Sequence, residues 1–118
     1  MVSSIEVART AALAADAKKA TDVMALDLTG LSDVCDAIVV CTAPNDRLAS
    51  SVIDEVEERV RLDCGLTPLS VTGGHAGPWM LLDYGCVVVH VFSPEGREFY
   101  RIERLWGDAP TIDVALVD

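Results

Sequence analysis

Two apolar runs constrain the fold of this chain more than any other feature. One is Ala37-Ile38-Val39-Val40-Cys41, and the other is Cys86-Val87-Val88-Val89-His90-Val91-Phe92. Both are rich in β-branched residues and too short for buried helices, so they read as strands. Strands without polar alternation must be covered on both faces, so each belongs inside a sheet with material packed on either side.

The segments around them supply that cover. Ser3 and Glu6 fit a capping box opening an alanine-rich helix over residues 3 to 20. Its large apolar residues are few, mainly Ile5, Val7 and Leu13, so light packing and fraying are expected. Asp22 to Leu28 is a strand with Met24, Leu26 and Leu28 on one side and Val23 and Ala25 on the other, ended by Thr29-Gly30. Asn45 or Asp46 caps a helix running to about Asp63, with Leu48, Val52, Val56 and Val60 as its buried stripe and Gly65 ending it. Its charges, from Asp54 to Arg61, form a solvated face.

Pro68 to Val71 is a short strand candidate, and Gly73 to Pro78 a loop. Trp79–Leu82 and Cys86–Phe92 form an antiparallel hairpin through Asp83-Tyr84-Gly85. Ser93 and Pro94 then open a helix on which Phe99, Ile102 and Trp106 share a face. Five strands and three helices imply an α+β fold: a mixed five-stranded sheet flanked by helices. The 118 residues make one domain, 1–118, with the N-terminal helix in 1–20 and a tail from 107 to 118.

Composition narrows the function classes. No run is long enough to cross a bilayer and the first residues do not resemble a secretory signal, so the expected location is cytoplasmic. Cys35, Cys41, Cys64 and Cys86 form no C-x-x-C pair, and with only His75 and His90 to join them they do not read as a zinc site. They are taken as reduced thiols. The formal net charge of −10 argues against binding free nucleic acid. It suits a basic protein partner, and equally a domain that is acidic only for solubility.

Catalytic templates fail. There is no G-x-S-x-G, P-loop or H-E-x-x-H, and the Gly73–Gly77 stretch precedes a strand and not a helix. No metal or cofactor is expected. His90 is the best acid–base candidate, on the same face as Cys86, Val88 and Phe92, but no nucleophile accompanies it. The competing reading is a histidine packed in the sheet with one nitrogen on a polar neighbour. Asp27, Asp36 and Asp83 are separated acids near strand ends that could gather in space, and the competing enzyme reading, acting on nucleotides or phosphates, takes Asp27, Asp36 and His90 as its site residues. Trp79, Asp83 and Tyr84 read differently, since exposed aromatic rings beside a carboxylate are typical of interaction hot spots. The alternative is that both rings pack in the core, as expected for Trp106.

The residues Gly77-Pro78-Trp79-Met80-Leu81-Leu82-Asp83-Tyr84-Gly85, followed by Val87-Val88-Val89-His90-Val91-Phe92, resemble the core motif of the ribosome silencing factors, the Iojap-like family. Arg97 to Trp106 is similar to that family's closing helix. Asp36 to Thr42, Arg47 and Asp54 to Glu58 also match its pattern, so the resemblance runs from about Asp22 to Ala109. Cys86, Thr72 and Ala43-Pro44 depart from it, and no role of those side chains is carried over.

The resemblance implies a translational repressor without cofactor or catalysis. It would bind the large ribosomal subunit through ribosomal protein number fourteen and obstruct joining of the small subunit. The fold implied is a nucleotidyltransferase-like sandwich without the catalytic motif, because Thr42-Ala43-Pro44-Asn45 stands where such enzymes carry Gly-Ser. Self-association is common in the family, so a homodimer is also compatible. Trp79 and Leu81 are expected to give apolar contact with the partner, Asp83 to meet a basic side chain, and Tyr84 to add an aromatic contact. Strand alternation turns Met80 and Leu82 the other way.

Overall fold

The computed structural model describes residues 3–73 and 78–114; the segment 74–77, with His75, and the tail beyond Val114 lie outside the described residues. The elements are α1 (Ser4–Ala17), β1 (Thr21–Asp27), β2 (Ala37–Thr42), α2 (Asp46–Cys64), β3 (Ser70–Thr72), β4 (Trp79–Asp83), β5 (Val87–Phe92), α3 (Pro94–Tyr100) and a 3₁₀ segment (Ile102–Trp106). The strands form one mixed sheet in the order β1-β2-β5-β4-β3. β2 and β5 are parallel, with Ala37 beside Val87 and Thr42 beside Phe92. The other neighbours are antiparallel. The α+β class, the mixed sheet and the flanking helices are as expected from the sequence.

Local chemistry sets the helix ends. Ser3 Oγ accepts from the Glu6 amide, Asn45 Oδ1 from the Leu48 amide and Ser93 Oγ from the Gly96 amide. Each satisfies an amide that has no intrahelical acceptor. Gly65 ends α2 in the left-handed region at φ 71°.

All six residues of β2 are buried, as its unbroken apolar run requires. On one face α1 and α2 close a cluster with Ala25, Val39, Met80, Leu82, Val87, Val89 and Val91. Here the expected light packing of α1 is corrected: Val7, Ala8, Ala11, Ala12, Ala14 and Ala15 are each 0 % exposed. Alanine side chains are small enough for the helix axis to approach its neighbours closely, so packing comes from proximity and not from bulk.

The opposite face holds Leu26, Leu28, Ile38, Val40, Phe92 and Ile102, with Met24, Trp79, Val88 and Trp106 packed against them. The expected single closing helix is also corrected. It stops at Tyr100 because Arg101 turns left-handed at φ 47°. Ile102 then enters the cluster while Phe99 stays 79 % exposed, so Phe99, Ile102 and Trp106 do not share a face. The tail has a structural part as well. The Asp27 amide donates to Pro110 O, the Ile112 amide donates to Ala25 O, and Ile112 and Val114 are buried. This covers part of the outer edge of β1, which would otherwise offer unpaired backbone to other chains.

Close packing of α1 has a measurable consequence. Ala11→Leu should lower the unfolding free energy by about 1–3 kcal/mol through overpacking, measured by urea denaturation. Unchanged or increased stability would show that α1 packs loosely.

Candidate functional site

Alternation along β4 divides its side chains as expected. Met80 and Leu82 are fully buried under α1 and α2, while Trp79, Leu81 and Asp83 are half-buried on the other face. Leu81 lies between Thr72 of β3 and His90 of β5, and Asp83 between Ser70 and Val88. The 3₁₀ segment seals this face over β1 and β2, where Leu26, Ile38 and Val40 are buried. Over β5, β4 and β3 the face stays partly open.

Trp79 is held by three aromatic neighbours. Its ring stacks on Phe92 at 5.1 Å, meets Tyr100 at 4.7 Å and lies 5.8 Å from His90. Its indole Nε1–H donates to His90 Nδ1 at 3.0 Å. That bond requires a neutral His90 with its proton on Nε2. Burial favours the same form, pushing the imidazole pKa down from 6.5 to about 4. His90 is therefore the packed histidine of the second reading, its basic nitrogen already occupied. Its expected facial neighbours are corrected in one respect: Val88 and Phe92 share its face, but Cys86, just before β5 begins, packs toward the helices.

Asp83 closes the hairpin. Its Oδ1 accepts from the Gly85 amide at 2.8 Å, and Gly85 takes φ 83°, a conformation that glycine adopts without strain. The other carboxylate oxygen has no hydrogen-bond partner among the described residues and is free to meet a cation. Tyr84 does not join this row. Its ring is 7 % exposed in the cluster under the helices, because the turn directs it to the side of Met80 and Leu82. Burial raises its phenol pKa, and its hydroxyl finds no partner among the described residues.

Two residues take the place expected for Tyr84. Tyr100 packs on Trp79, and Phe99 meets Tyr100 edge-on at 4.9 Å while remaining largely exposed. A helical reading carried through Arg101 conceals them, since it turns Phe99 inward. Their position depends on a close approach: a Cβ on Gly96 would lie 2.2 Å from Pro78 O, so only glycine lets α3 rest against the residue preceding Trp79.

Of the residues proposed for nucleotide chemistry, Asp27 and Asp36 are neighbours at one end of the sheet, where Asp27 pairs with Ala37, but each acid is engaged locally and His90 lies further along β5 with its Nδ1 taken by Trp79. Asp27 Oδ1 accepts from the Thr29 amide, Asp36 accepts from Ser4 Oγ, and Asp83 belongs to its own turn. Among the described residues, no three His, Cys, Asp or Glu side chains are placed to hold a metal ion.

Comparisons with known proteins place this geometry. A family model described as ribosomal silencing factor during starvation matches residues 2–118. A ribosomal silencing factor of Bacillus subtilis is 36 % identical over 108 residues, covering 92 % of this chain and 91 % of that protein. A mouse protein named for mitochondrial assembly of the ribosomal large subunit is 39 % identical over 46 residues, covering 38 % of this chain and 20 % of that protein. A crystal structure of a Chromobacterium violaceum protein superposes with a TM-score of 0.83 at 30 % identity, covering 90 % of this chain and 88 % of that one.

Burial of neutral His90 makes stability depend on pH in a known direction. Between about 6.5 and about 4 the unfolded chain binds a proton that folded His90 does not. The stability from neutral His90 is thus complete above the upper value and lost as pH falls toward the lower one. The slope is at most about 1.4 kcal/mol per pH unit. His90→Gln should remove this component from urea midpoints measured across the window. An NMR titration of His90 centred near its unperturbed value would overturn the assignment.

Proposed function

We propose, from the fact that this chain belongs to the ribosomal silencing factor family, that it docks on the large ribosomal subunit and represses translation by excluding the small one. The contact is ribosomal protein number fourteen, and the docking row is Trp79, Leu81 and Asp83, extended by Tyr100 and Phe99. The observation that carries this reading is the half-open face over β5, β4 and β3, where an immobilised tryptophan stands in one row with Leu81 and with a carboxylate that has an oxygen without a partner among the described residues.

The row has the make-up of a binding hot spot. Trp79 is restrained by stacking and by the His90 bond, so little side-chain entropy remains to be lost on binding. Leu81 and Phe99 offer apolar area around it. Asp83 supplies charge for a basic partner, and the net charge of −10 favours encounter with such a protein over bare RNA. The family name and the mouse relative's name both support a ribosomal partner. No chemical step is required: a bound domain of 12.6 kDa occupies space that the small subunit needs. The expected compartment is the cytoplasm, where subunits meet. A homodimer built on the same row would compete with docking.

Co-sedimentation with separated large subunits tests the row. Leu81→Asp and Asp83→Lys should each weaken binding by about tenfold or more, while the fold, followed by circular dichroism, persists. Retained binding in both variants would overturn the assignment of this face.

Tyr84→Phe provides the contrast. It should bind as the parent does, with equal or higher stability, because the buried hydroxyl it removes has no partner among the described residues. Weaker subunit binding by this variant would return Tyr84 to the contact surface.

A further inference from the structure

The 9 Lys and Arg residues of this chain are outnumbered by 19 Asp and Glu, yet three arginines line one cleft. It has a volume of about 650 Å³ and lies between the start of β1 (Asp22, Val23, Met24) and the α3–3₁₀ junction (Arg97, Glu98, Arg101, Glu103, Arg104). This is within the usual size range of small-ligand sites, roughly 300–1,000 Å³.

The cleft is built and held in place. Arg97 donates from Nε to Glu103 Oε2 at 3.1 Å and from Nη1 to Thr42 Oγ1 at 2.9 Å, and Thr42 is buried. Three described non-glycine residues take a positive φ, and two of them, Asp22 at 49° and Arg101 at 47°, line this cleft. Backbone strain of this kind persists where surrounding structure enforces it, often at ligand clamps.

Its unmet valences define a ligand. The side chains of Arg104 and Asp22 have no ion-pair or hydrogen-bond partner among the described residues. The Arg101–Glu98 pair is exposed and weak enough for a ligand to displace. Glu103 is turned inward, its Oε2 held by Arg97 and its Oε1 out of reach of solvent, so Asp22 is the acceptor that the cleft offers. A bare anion would meet the arginines but be repelled by Asp22 and Glu103; a simple cation would meet the reverse. What satisfies both sets carries anionic oxygens at one end and hydroxyl donors at the other.

We infer that this cleft binds a ribose-phosphate unit, its phosphoryl oxygens on Arg101 and Arg104 and its hydroxyls on Asp22. Guanidinium matches phosphate oxygens, and carboxylates accept from ribose hydroxyls in other nucleotide sites. Arg97 holds Glu103 in the cleft wall. The unit can come from a free nucleotide or from an RNA strand. Neither source depends on the docking row, so the two assignments stand or fall separately.

NMR of the full chain tests this, following arginine Nε–H signals and the amides of Asp22 and Arg101. The probes are inorganic phosphate, ribose 5-phosphate, adenosine monophosphate and a short single-stranded RNA with its DNA counterpart. Ribose 5-phosphate should bind at least about tenfold more tightly than inorganic phosphate. The double variant Arg101→Gln/Arg104→Gln should weaken it about tenfold or more, while Arg59→Gln and Asp83→Lys leave it unchanged. Tighter binding of RNA than of the nucleotide, with DNA weaker, identifies a strand as the source; the reverse identifies a free nucleotide. Equal binding of phosphate and ribose 5-phosphate, shifts that survive the double variant, or no shifts at these residues would each overturn the site.

Discussion

The parallel pairing of β2 with β5 is the constraint on which the rest of the structure depends. Both strands run through the interior, and a parallel pair cannot be joined by a tight turn. The chain leaving Thr42 must cross back before Val87 can lie beside Ala37. Everything between those points is that crossover. Its first half is α2, which covers one face of the sheet. Its second half is β3 and β4, which extend the sheet beyond β5. Trp79, Leu81 and Asp83 are therefore carried on a strand that a parallel core pair requires, hydrogen-bonded along its length to one of the most buried strands in the domain. A binding row on such a strand keeps its geometry better than one on a loop.

The two sheet faces are closed by different means, and the difference creates the open surface. Alanine in α1 allows close helix approach, and valine in α2 fills the remaining space, so that face is sealed. The other face receives only the short α3 and a 3₁₀ segment, the latter brought down by the left-handed turn at Arg101. Five residues cover β1 and β2 and reach no further. Over β5 and β4 the cover is aromatic, Trp79 and Phe92 meeting Tyr100 from the end of α3. An indole N–H left unpaired under partial burial would be costly. The neutral imidazole of His90 accepts it, which is why a histidine is compatible with an otherwise apolar strand.

Period-two patterning made most of this legible in the sequence. It separated Met80 and Leu82 from Trp79, Leu81 and Asp83, and it assigned Met24, Leu26 and Leu28 to one side of β1. Cap chemistry at Ser3, Asn45 and Ser93 located the helix starts. What escaped depends on tertiary context. Alanine has little hydrophobic weight, so the depth of α1 burial is invisible until its neighbours are known. Nothing in an arginine announces a left-handed backbone, so the break at Arg101 and the exposure of Phe99 and Tyr100 could not be read. Tyr84 lies where strand alternation ends and a turn begins, and there side-chain direction is set by the turn alone. The Trp79–His90 bond needs the register that places Leu81 opposite His90, which no local pattern encodes.

Charge distribution separates the two surfaces in a way that bears on how an acidic domain can work beside RNA. A net charge of −10 opposes general attraction to a polyanion. At about 0.1 M salt, however, the field of distant charges fades within roughly 10 Å. Contacts are then decided by local groups. At the proposed docking row the local charge is Asp83, which would favour a basic protein. In the cleft, Arg97 is neutralised by Glu103 and Arg101 by Glu98, so the recess adds little long-range pull. Arg101 becomes fully available only to a ligand that enters and replaces its weaker, exposed pair with Glu98. Such an arrangement allows selective contact with a ribose phosphate without conferring indiscriminate affinity for RNA, and it explains how three arginines can be concentrated in an otherwise acidic surface.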